Sequence, residues 1–177
     1  MSLDQITIRP AETGDAHCIA KVHDTAWRHT YRGIIPGVAL ERMVQRRGPH
    51  WWAKLIRQRR GILALEVGRR VVGYTTFGAN RSRALQASGE IYEIYIDPIY
   101  QGLGFGKRLF GAALERLADK GQTDCVVWVL EDNAAAVDFY HAMGGNPVAH
   151  GVERFIGTPA QNNACRKLAF TWESKTG

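Results

Sequence analysis

A glycine-rich segment between a strand-like run and a helix-like run most constrains how this chain of 177 residues can fold. The segment is Gln101-Gly102-Leu103-Gly104-Phe105-Gly106, and it connects the strand-like run 91–96 to the helix-like run 109–120. The first turn of a helix carries backbone N–H groups without intrahelical partners, together with the positive end of the helix dipole. Glycine leaves those groups accessible because it has no side chain. The segment therefore predicts a cradle for a phosphate group.

Two other glycine motifs that bind phosphate do not fit these residues. A dinucleotide-binding G-x-G-x-x-G would need glycine at position 107 or 109, where the chain has Lys107 and Leu109. A Walker A loop would need glycine at position 101 and serine or threonine at position 108, where the chain has Gln101 and Arg108. The pattern that remains is Q-x-x-G-x-G after a strand.

A second segment, residues 128–145, is typical of a strand followed by a helix that begins with N-x-x-A-x-x-F-Y and ends at glycine. Asn133 and Tyr140 are seven residues apart, so they project from one side of that helix, and Ala136 keeps the side shallow. The two segments, in this order, resemble the GNAT superfamily of N-acetyltransferases. The stretch Ile8-Arg9-Pro10-Ala11 is similar to the first strand of that superfamily.

The resemblance implies acetyl-CoA as co-substrate, with no metal. The pyrophosphate of coenzyme A would lie on the glycine segment, and the pantetheine arm would pair with Ile94 and Ile96 as an extra strand does. The N–H of Ile94 would then point at the thioester oxygen, an oxyanion-type effect worth about 3 kcal/mol. The residues predicted to bind the cofactor are Ile94, Tyr95, Ile96, Gln101, Gly102, Leu103, Gly104, Phe105, Gly106, Lys107, Asn133, Ala136 and Tyr140.

Acetyl transfer to an amine also needs a group that accepts the amine proton. A lysine-like amine with a pKa of ~10.4 is neutral in only about one molecule in a thousand at pH 7. Glu90 and Glu93 are the candidates, and three residues along a strand place them on opposite faces unless a bulge intervenes. We therefore expect only one of them to face the site. Glu90 lies eleven residues before Gln101, the spacing at which similar acetyltransferases often place a base, so it is favoured, acting through water, over Glu93.

Tyr140 is interpreted as the general acid. A phenol with a pKa of ~10 stays protonated at neutral pH and can donate to a leaving thiolate whose conjugate pKa is ~8.5. The alternative is a buried aromatic residue whose hydroxyl bonds to the backbone. Asn133 is also predicted to cap the helix that follows it, and this is compatible with cofactor binding.

Trp27 and Tyr31 are predicted to shape the acceptor pocket. They resemble a Trp-x-x-x-Tyr stretch in a bacterial branch of the superfamily, and packing at a helix end is an equally weighted alternative. The predicted acceptor is a primary amine of a small molecule, polyamine-like or an amine-bearing antibiotic, which attacks directly in a ternary complex. A protein N-terminus or lysine is one alternative acceptor. A non-catalytic acyl-CoA sensor or interaction module is another reading of the same fold.

The remaining patterns predict a single α/β domain over residues 1–177, with the last few residues disordered. The expected GNAT fold has a mixed, mostly antiparallel sheet of six to seven strands, helices on both faces and splayed central strands. Strands are predicted at 6–9, 62–67, 71–77, 89–96, 125–130, 148–156 and 166–172, with helices at 14–27, 38–44, 51–60 and 109–120 and a long loop at 157–163.

Composition limits the partners. The net charge of +6 comes from 23 basic and 17 acidic side chains, and no nucleic-acid recognition motif accompanies it, so it is assigned to attraction of a polyanionic cofactor. No apolar run approaches ~18 residues and no signal peptide is evident, which predicts a cytoplasmic protein without membrane association. The expected oligomeric state is a monomer or homodimer. Cys18, Cys125 and Cys165 are predicted to be reduced packing residues rather than disulfide or zinc ligands.

Overall fold

A computed structural model describes residues 6–155 and 164–173. The strands are β1 (Ile6–Pro10), β2 (Gly61–Val67), β3 (Arg70–Ala79), β4 (Gly89–Ile96), β5 (Cys125–Leu130), β6 (Asn146–Arg154) and β7 (Ala164–Trp172). The helices are α1 (Ala16–Tyr31), α2 (Gly37–Arg46), α3 (Pro49–Arg57), α4 (Phe105–Ala118) and α5 (Ala134–Ala142). The predicted loop at 157–163 and the predicted disorder of the last few residues lie outside the described residues.

The seven strands form one sheet in the order β1-β2-β3-β4-β5-β7-β6. Neighbouring strands are antiparallel except for β4 and β5, which are parallel. The β4–β5 ladder pairs only Gly89 with Cys125 and Glu90 with Val126, although both strands continue beyond these pairs. The central strands therefore splay apart, and the predicted fold class, including this splay, is confirmed.

Helices cover both faces of the sheet because side chains alternate along the strands. In β2, Ile62 and Ala64 pack on one face against α1 and α3. Leu63 and Leu65 pack on the opposite face with the apolar residues of α4. The two cores hold β4 firmly between them, and β4 carries most of the residues predicted to act in catalysis.

Three helices begin earlier than predicted, and for α2 the difference is a single residue, with a start at Gly37 rather than at 38. Helix α4 starts at Phe105 rather than at 109, directly after Gly104, whose φ of +77° places it in the left-handed region. Helix α3 starts at Pro49 rather than at 51, because proline suits the first helical position, where no N–H partner is needed. The earlier start of α4 makes the glycine segment part of the helix N-terminus itself.

The three cysteines do not share one environment. Cys125 and Cys165 are buried, as predicted. Cys18 is exposed on α1, so the prediction that it is a packing residue is wrong. All three thiols are free.

Candidate active site

A groove runs between the end of β4, the start of α4 and one side of α5, where the splay of β4 and β5 leaves space. Its volume is about 670 Å³. Every residue predicted to bind the cofactor lines this groove except Leu103, whose side chain is 59% exposed. The structure also adds His29, Thr30, Tyr100, Ala135, Phe139 and Met143 to the lining.

The glycine segment owes its shape to backbone conformation. Gly102 and Gly104 both have φ of +77°, a conformation that side chains with a Cβ rarely adopt. A Cβ added at either position would meet no atom within 4 Å, so it is conformation rather than space that requires glycine here. The Gln101 Nε2 donates to the carbonyl of Ile96 at 3.2 Å and ties the segment back to β4.

The residues present fit coenzyme A. The first turn of α4 contains Lys107 and no acidic residue, and its N–H groups and dipole favour an anion. Beyond Glu90, β4 has no partner in the described β4–β5 ladder, so an extended arm can lie beside it. A pyrophosphate and a thin pantetheine arm are therefore suited to the two ends of the groove.

A second, smaller cavity of about 260 Å³ adjoins the groove. Trp27 and Tyr31, the residues predicted for the acceptor, both line it, as do Glu90 and Glu93. The cavities share five lining residues: Ile94, Tyr95, Asn133, Ala136 and Tyr140. The groove and the pocket therefore meet at Tyr140.

A β-bulge brings Glu90 and Glu93 into the same pocket. Strand β3 pairs Thr76 with Glu93 and Phe77 with Ile91, which leaves Tyr92 as the extra residue in β4. Because the bulge adds one residue between Glu90 and Glu93, their side chains lie on the same side of β4, as those of residues two apart normally do. The prediction that only one of them faces the site is wrong.

Each of these carboxylates has a cationic partner. Glu90 accepts a hydrogen bond from the backbone N–H of Arg81 at 2.8 Å and another from its Nη2 at 2.9 Å. Arg81 is largely exposed and lies 3.7 Å above the ring of Tyr92. Glu93 pairs with Arg47, and Thr76 Oγ1 lies 3.4 Å from its second oxygen. The pocket thus holds two ionic pairs with different exposure.

Tyr140 is buried at the junction, and burial raises the pKa of its hydroxyl, which stays protonated. Within residues 6–155 and 164–173, no hydrogen bond to this hydroxyl is found, so the alternative of a hydroxyl bonded to the backbone is not observed. Its ring packs against Phe170 and Trp172. The side chain of Asn133 accepts from the N–H of Ala136 at 3.2 Å, which confirms the predicted helix cap.

One side of the smaller pocket has an aromatic wall. The hydroxyls of Tyr31 and Tyr95 are 2.6 Å apart, and the Tyr31 ring lies against Trp27. Behind this wall, His23 is fully buried with its Nδ1 2.7 Å from the Tyr74 hydroxyl. Trp27 and Tyr31 therefore both pack near the end of α1 and line the pocket.

Sequence reasoning missed several pocket residues, including Arg81, Tyr92, Trp128, Glu153 and Lys167. Most of them lie outside the two recognised motifs and reach the pocket only through sheet topology. Lys167 on β7 lies 4.9 Å from the ring of Trp128 on β5 and pairs with Glu153 on β6 at 2.9 Å. In the sequence, Trp128 begins the second recognised segment, and Arg81 belongs to a polar loop at 78–88.

Neither a metal centre nor a membrane helix is found in the part of the chain that the structure describes. No group of three or more His, Cys, Asp and Glu side chains there is arranged to hold a metal ion. None of the helices there combines the length and the hydrophobicity that crossing a bilayer requires.

Comparison with known proteins agrees with this geometry. Residues 20–144 match the acetyltransferase (GNAT) family. The uncharacterized N-acetyltransferase YuaI of Bacillus subtilis is 34% identical over 145 residues, which cover 81% of this chain and 82% of that protein. A mycothiol acetyltransferase of Kocuria rhizophila is 33% identical over 155 residues, covering 81% of this chain but only 47% of that protein.

A solved structure shows the same fold. The crystal structure of the PaiA N-acetyltransferase from Thermoplasma acidophilum in complex with coenzyme A superimposes with a TM-score of 0.70. The alignment covers 92% of this chain and 98% of that one, with 20% sequence identity. At that identity the likeness speaks for the fold alone.

Proposed function

The chain belongs to the acetyltransferase (GNAT) family and is an acetyl-CoA-dependent N-acetyltransferase, and we propose that its acceptor is a primary amine of a small molecule. A polyamine-like compound or an amine-bearing antibiotic is the acceptor class we favour. One observation carries the proposal: the groove and a small pocket that contains Glu90 and Glu93 meet at Tyr140.

The dimensions and charge of the pocket support this acceptor class. Its volume of about 260 Å³ lies just below the ~300–1,000 Å³ of clefts that enclose drug-sized ligands. Such a pocket suits a compact amine or one arm of a larger amine. Its wall contains three carboxylates, Glu90, Glu93 and Glu153, against two cations, Arg81 and Lys167. This excess of negative charge, together with aromatic rings such as Trp27 and Tyr31, favours an ammonium group.

On the donor side, the chain binds acetyl-CoA and orients its thioester. Acetyl-CoA supplies the activated acetyl group as a thioester. The N–H groups at the start of α4 hold the pyrophosphate, and β4 aligns the pantetheine arm. The N–H of Ile94 is assigned to the thioester oxygen, where it stabilises developing negative charge. Leu103 contributes only its backbone, because its side chain points into solvent.

On the acceptor side, proton transfer is divided between two residues. Glu90 takes the amine proton through a water molecule, and the neutral amine attacks the thioester carbonyl directly in a ternary complex. The Tyr140 hydroxyl donates its proton to the leaving thiolate. Its raised pKa suits this role, because the hydroxyl remains an acid throughout the neutral range.

A panel of acceptors tests the proposal. The wild-type protein is incubated with acetyl-CoA and either diamines, polyamines, aminoglycosides, peptides with free N-termini or lysine-containing peptides. Thiol release is followed, and acetylated products are identified by mass. We expect turnover with small amines and little with peptides. Turnover with peptides alone would overturn the small-molecule proposal.

A further inference from the structure

An arginine between two helices reaches the acceptor pocket from behind. Arg47 follows the last residue of α2, and its guanidinium lies 5.3 Å from the ring of Trp27 and 4.9 Å from the ring of Trp51. Its Nη1 donates to Oε1 of Glu93. The side chain is 27% exposed. Because a charge withdrawn from water is costly unless it is paired, this arginine and Glu93 depend on each other.

Glu93 keeps room for another partner. Its side chain is 11% exposed and lines the acceptor pocket, whereas Arg47 is not among the lining residues. One carboxylate oxygen receives Arg47, and the other has, among the described residues, only Thr76 Oγ1 as a partner, at 3.4 Å. An ionised carboxylate offers about four acceptor positions. Glu93 therefore has capacity for an N–H donor that enters from the pocket.

The second carboxylate of the pocket is held differently. The partner of Glu90 is Arg81, whose side chain is 65% exposed and belongs to the connection between β3 and β4. The side chain of Arg81 can leave Glu90 for solvent, while the backbone N–H of Arg81 keeps its hydrogen bond to that carboxylate. Arg47 has no such freedom, because two tryptophan rings enclose its guanidinium. Glu93 thus has a fixed ionic partner, whereas the ionic partner of Glu90 can exchange with solvent.

We propose that Arg47 is a positioning residue that holds the Glu93 carboxylate aimed into the pocket, where Glu93 binds the ammonium form of the acceptor. Glu90 then removes the proton, so that binding and deprotonation fall to different carboxylates. This inference rests on the proposed amine acceptor. It predicts that loss of Arg47 weakens acceptor binding through Glu93 rather than through the fold.

Three tyrosines interact with the charge of Glu93, and the other charged side chains that line the same pocket are Glu90, Glu153, Arg81 and Lys167. Burial, followed by the negative charge of Glu93, raises the pKa of Tyr74 on β3. Burial also raises the pKa values of Tyr31 on α1 and Tyr95 on β4, with smaller contributions from Glu93. These three tyrosines therefore stay uncharged at neutral pH, and Arg47 is the cation paired with Glu93.

A double-mutant cycle on Arg47 and Glu93 tests the inference. Arg47→Met removes the charge and keeps most of the stem, while Glu93→Gln removes the negative charge. We expect each single variant to raise the KM for the acceptor by about tenfold, as loss of a hydrogen bond to a charged group does, with a much smaller change in kcat. The double variant should be no worse than either single variant, because both act through one interaction. Arg47→Lys should restore part of the loss, since it keeps the charge without the planar fork.

Arg46→Met is the matched control, because Arg46 is the exposed neighbour of Arg47 at the end of α2. It should leave both the KM for the acceptor and the thermal midpoint unchanged. Arg47→Met with an unchanged KM, or losses from Arg47→Met and Glu93→Gln that add in the double variant, would overturn the inference.

A second measurement does not depend on turnover. A crystal structure of Arg47→Met should show the Glu93 carboxylate displaced from its position in the wild type, because the guanidinium that anchors it is gone. An unchanged carboxylate position would overturn the role of Arg47 even if an acceptor were known. Wild-type protein that acetylates no small amine would instead overturn the proposed function, and the structure of the variant would still report on Arg47.

Discussion

The groove proposed for the donor and the pocket proposed for the acceptor are built from different parts of the chain. The groove depends on backbone features. These are glycines in the left-handed region, the N-terminus of α4 and the part of β4 that does not pair with β5. The pocket depends on side chains, whose ionic pairs join β4 to the α2–α3 connection and to the β3–β4 loop. The difference teaches that donor binding should tolerate most side-chain changes, whereas acceptor recognition should not.

Tyr140 belongs to both regions and gives the largest expected effect. Tyr140→Phe should lower kcat by about 100-fold, the lower end of the range for general acid catalysis. Affinity for acetyl-CoA should change little, because the ring remains and no described residue bonds to the hydroxyl. Steady-state assays measure kcat, and calorimetry measures the affinity for acetyl-CoA. Tyr100→Phe, in the same groove, is the control, and an unchanged kcat for Tyr140→Phe would refute the assignment as acid.

The whole protein should be less stable in acid because of His23, which lies behind the smaller pocket. Burial, together with the positive charge of Arg47, lowers the pKa of His23 from 6.5 to about 3. Between these values the unfolded chain binds a proton that the folded protein excludes, so stability falls as pH falls. From pH 7 to pH 5 the free energy of unfolding should decrease by about 2 kcal/mol for this group.

Urea unfolding at the two pH values checks the prediction. His23→Gln keeps a side chain that can bond to the Tyr74 hydroxyl but cannot titrate. Its stability should therefore fall by about 2 kcal/mol less than that of the wild type over the same pH interval. Equal losses in both proteins would show that His23 does not cause the acid sensitivity.

Gly104→Val tests the groove alone. A side chain in the left-handed region is strained by about 1–2 kcal/mol, and its relief would move the N–H groups at the start of α4. We expect affinity for acetyl-CoA to fall by about tenfold or more. Gly111→Ala lies within α4, where a Cβ meets no atom within 4 Å. That control should bind like the wild type, and wild-type affinity in Gly104→Val would contradict the cradle.

Asn133→Ala gives the smallest effect. Loss of the cap on Ala136 should cost about 1 kcal/mol of stability. Asn133→Asp retains an oxygen that accepts from the same N–H and should keep that stability. Thermal unfolding compares the two variants. Equal loss in both would mean that Asn133 contributes through the amide rather than through the cap.

The groove could be predicted from the sequence because its determinants are local. Gly102, Gly104 and Gln101 form one motif, and the N-x-x-A-x-x-F-Y motif places Asn133, Ala136 and Tyr140 on one side of α5 by helical periodicity alone. The fold followed from the same regularities, because alternation in β2 divides its residues between two cores.

The pocket could not be predicted in the same way. The bulge at Tyr92 depends on the pairing of β4 with β3, and the residues of β4 alone do not predict it. Arg47 and Glu93 are 46 residues apart and meet only when α2 and α3 pack beside the sheet. In the sequence, Arg46-Arg47 reads as a basic cluster, whereas in the structure only Arg46 is exposed. Charge pairs of this kind are set by tertiary packing, which a periodic pattern does not encode.

A crystal structure with acetyl-CoA would test the meeting of groove and pocket most directly. We predict pyrophosphate oxygens about 3 Å from the N–H groups at the start of α4 and the acetyl group beside Tyr140, facing the pocket that holds Glu90 and Glu93. Acetyl-CoA bound with its pyrophosphate away from the glycine segment, or with its acetyl group outside that junction, would contradict the proposed active site.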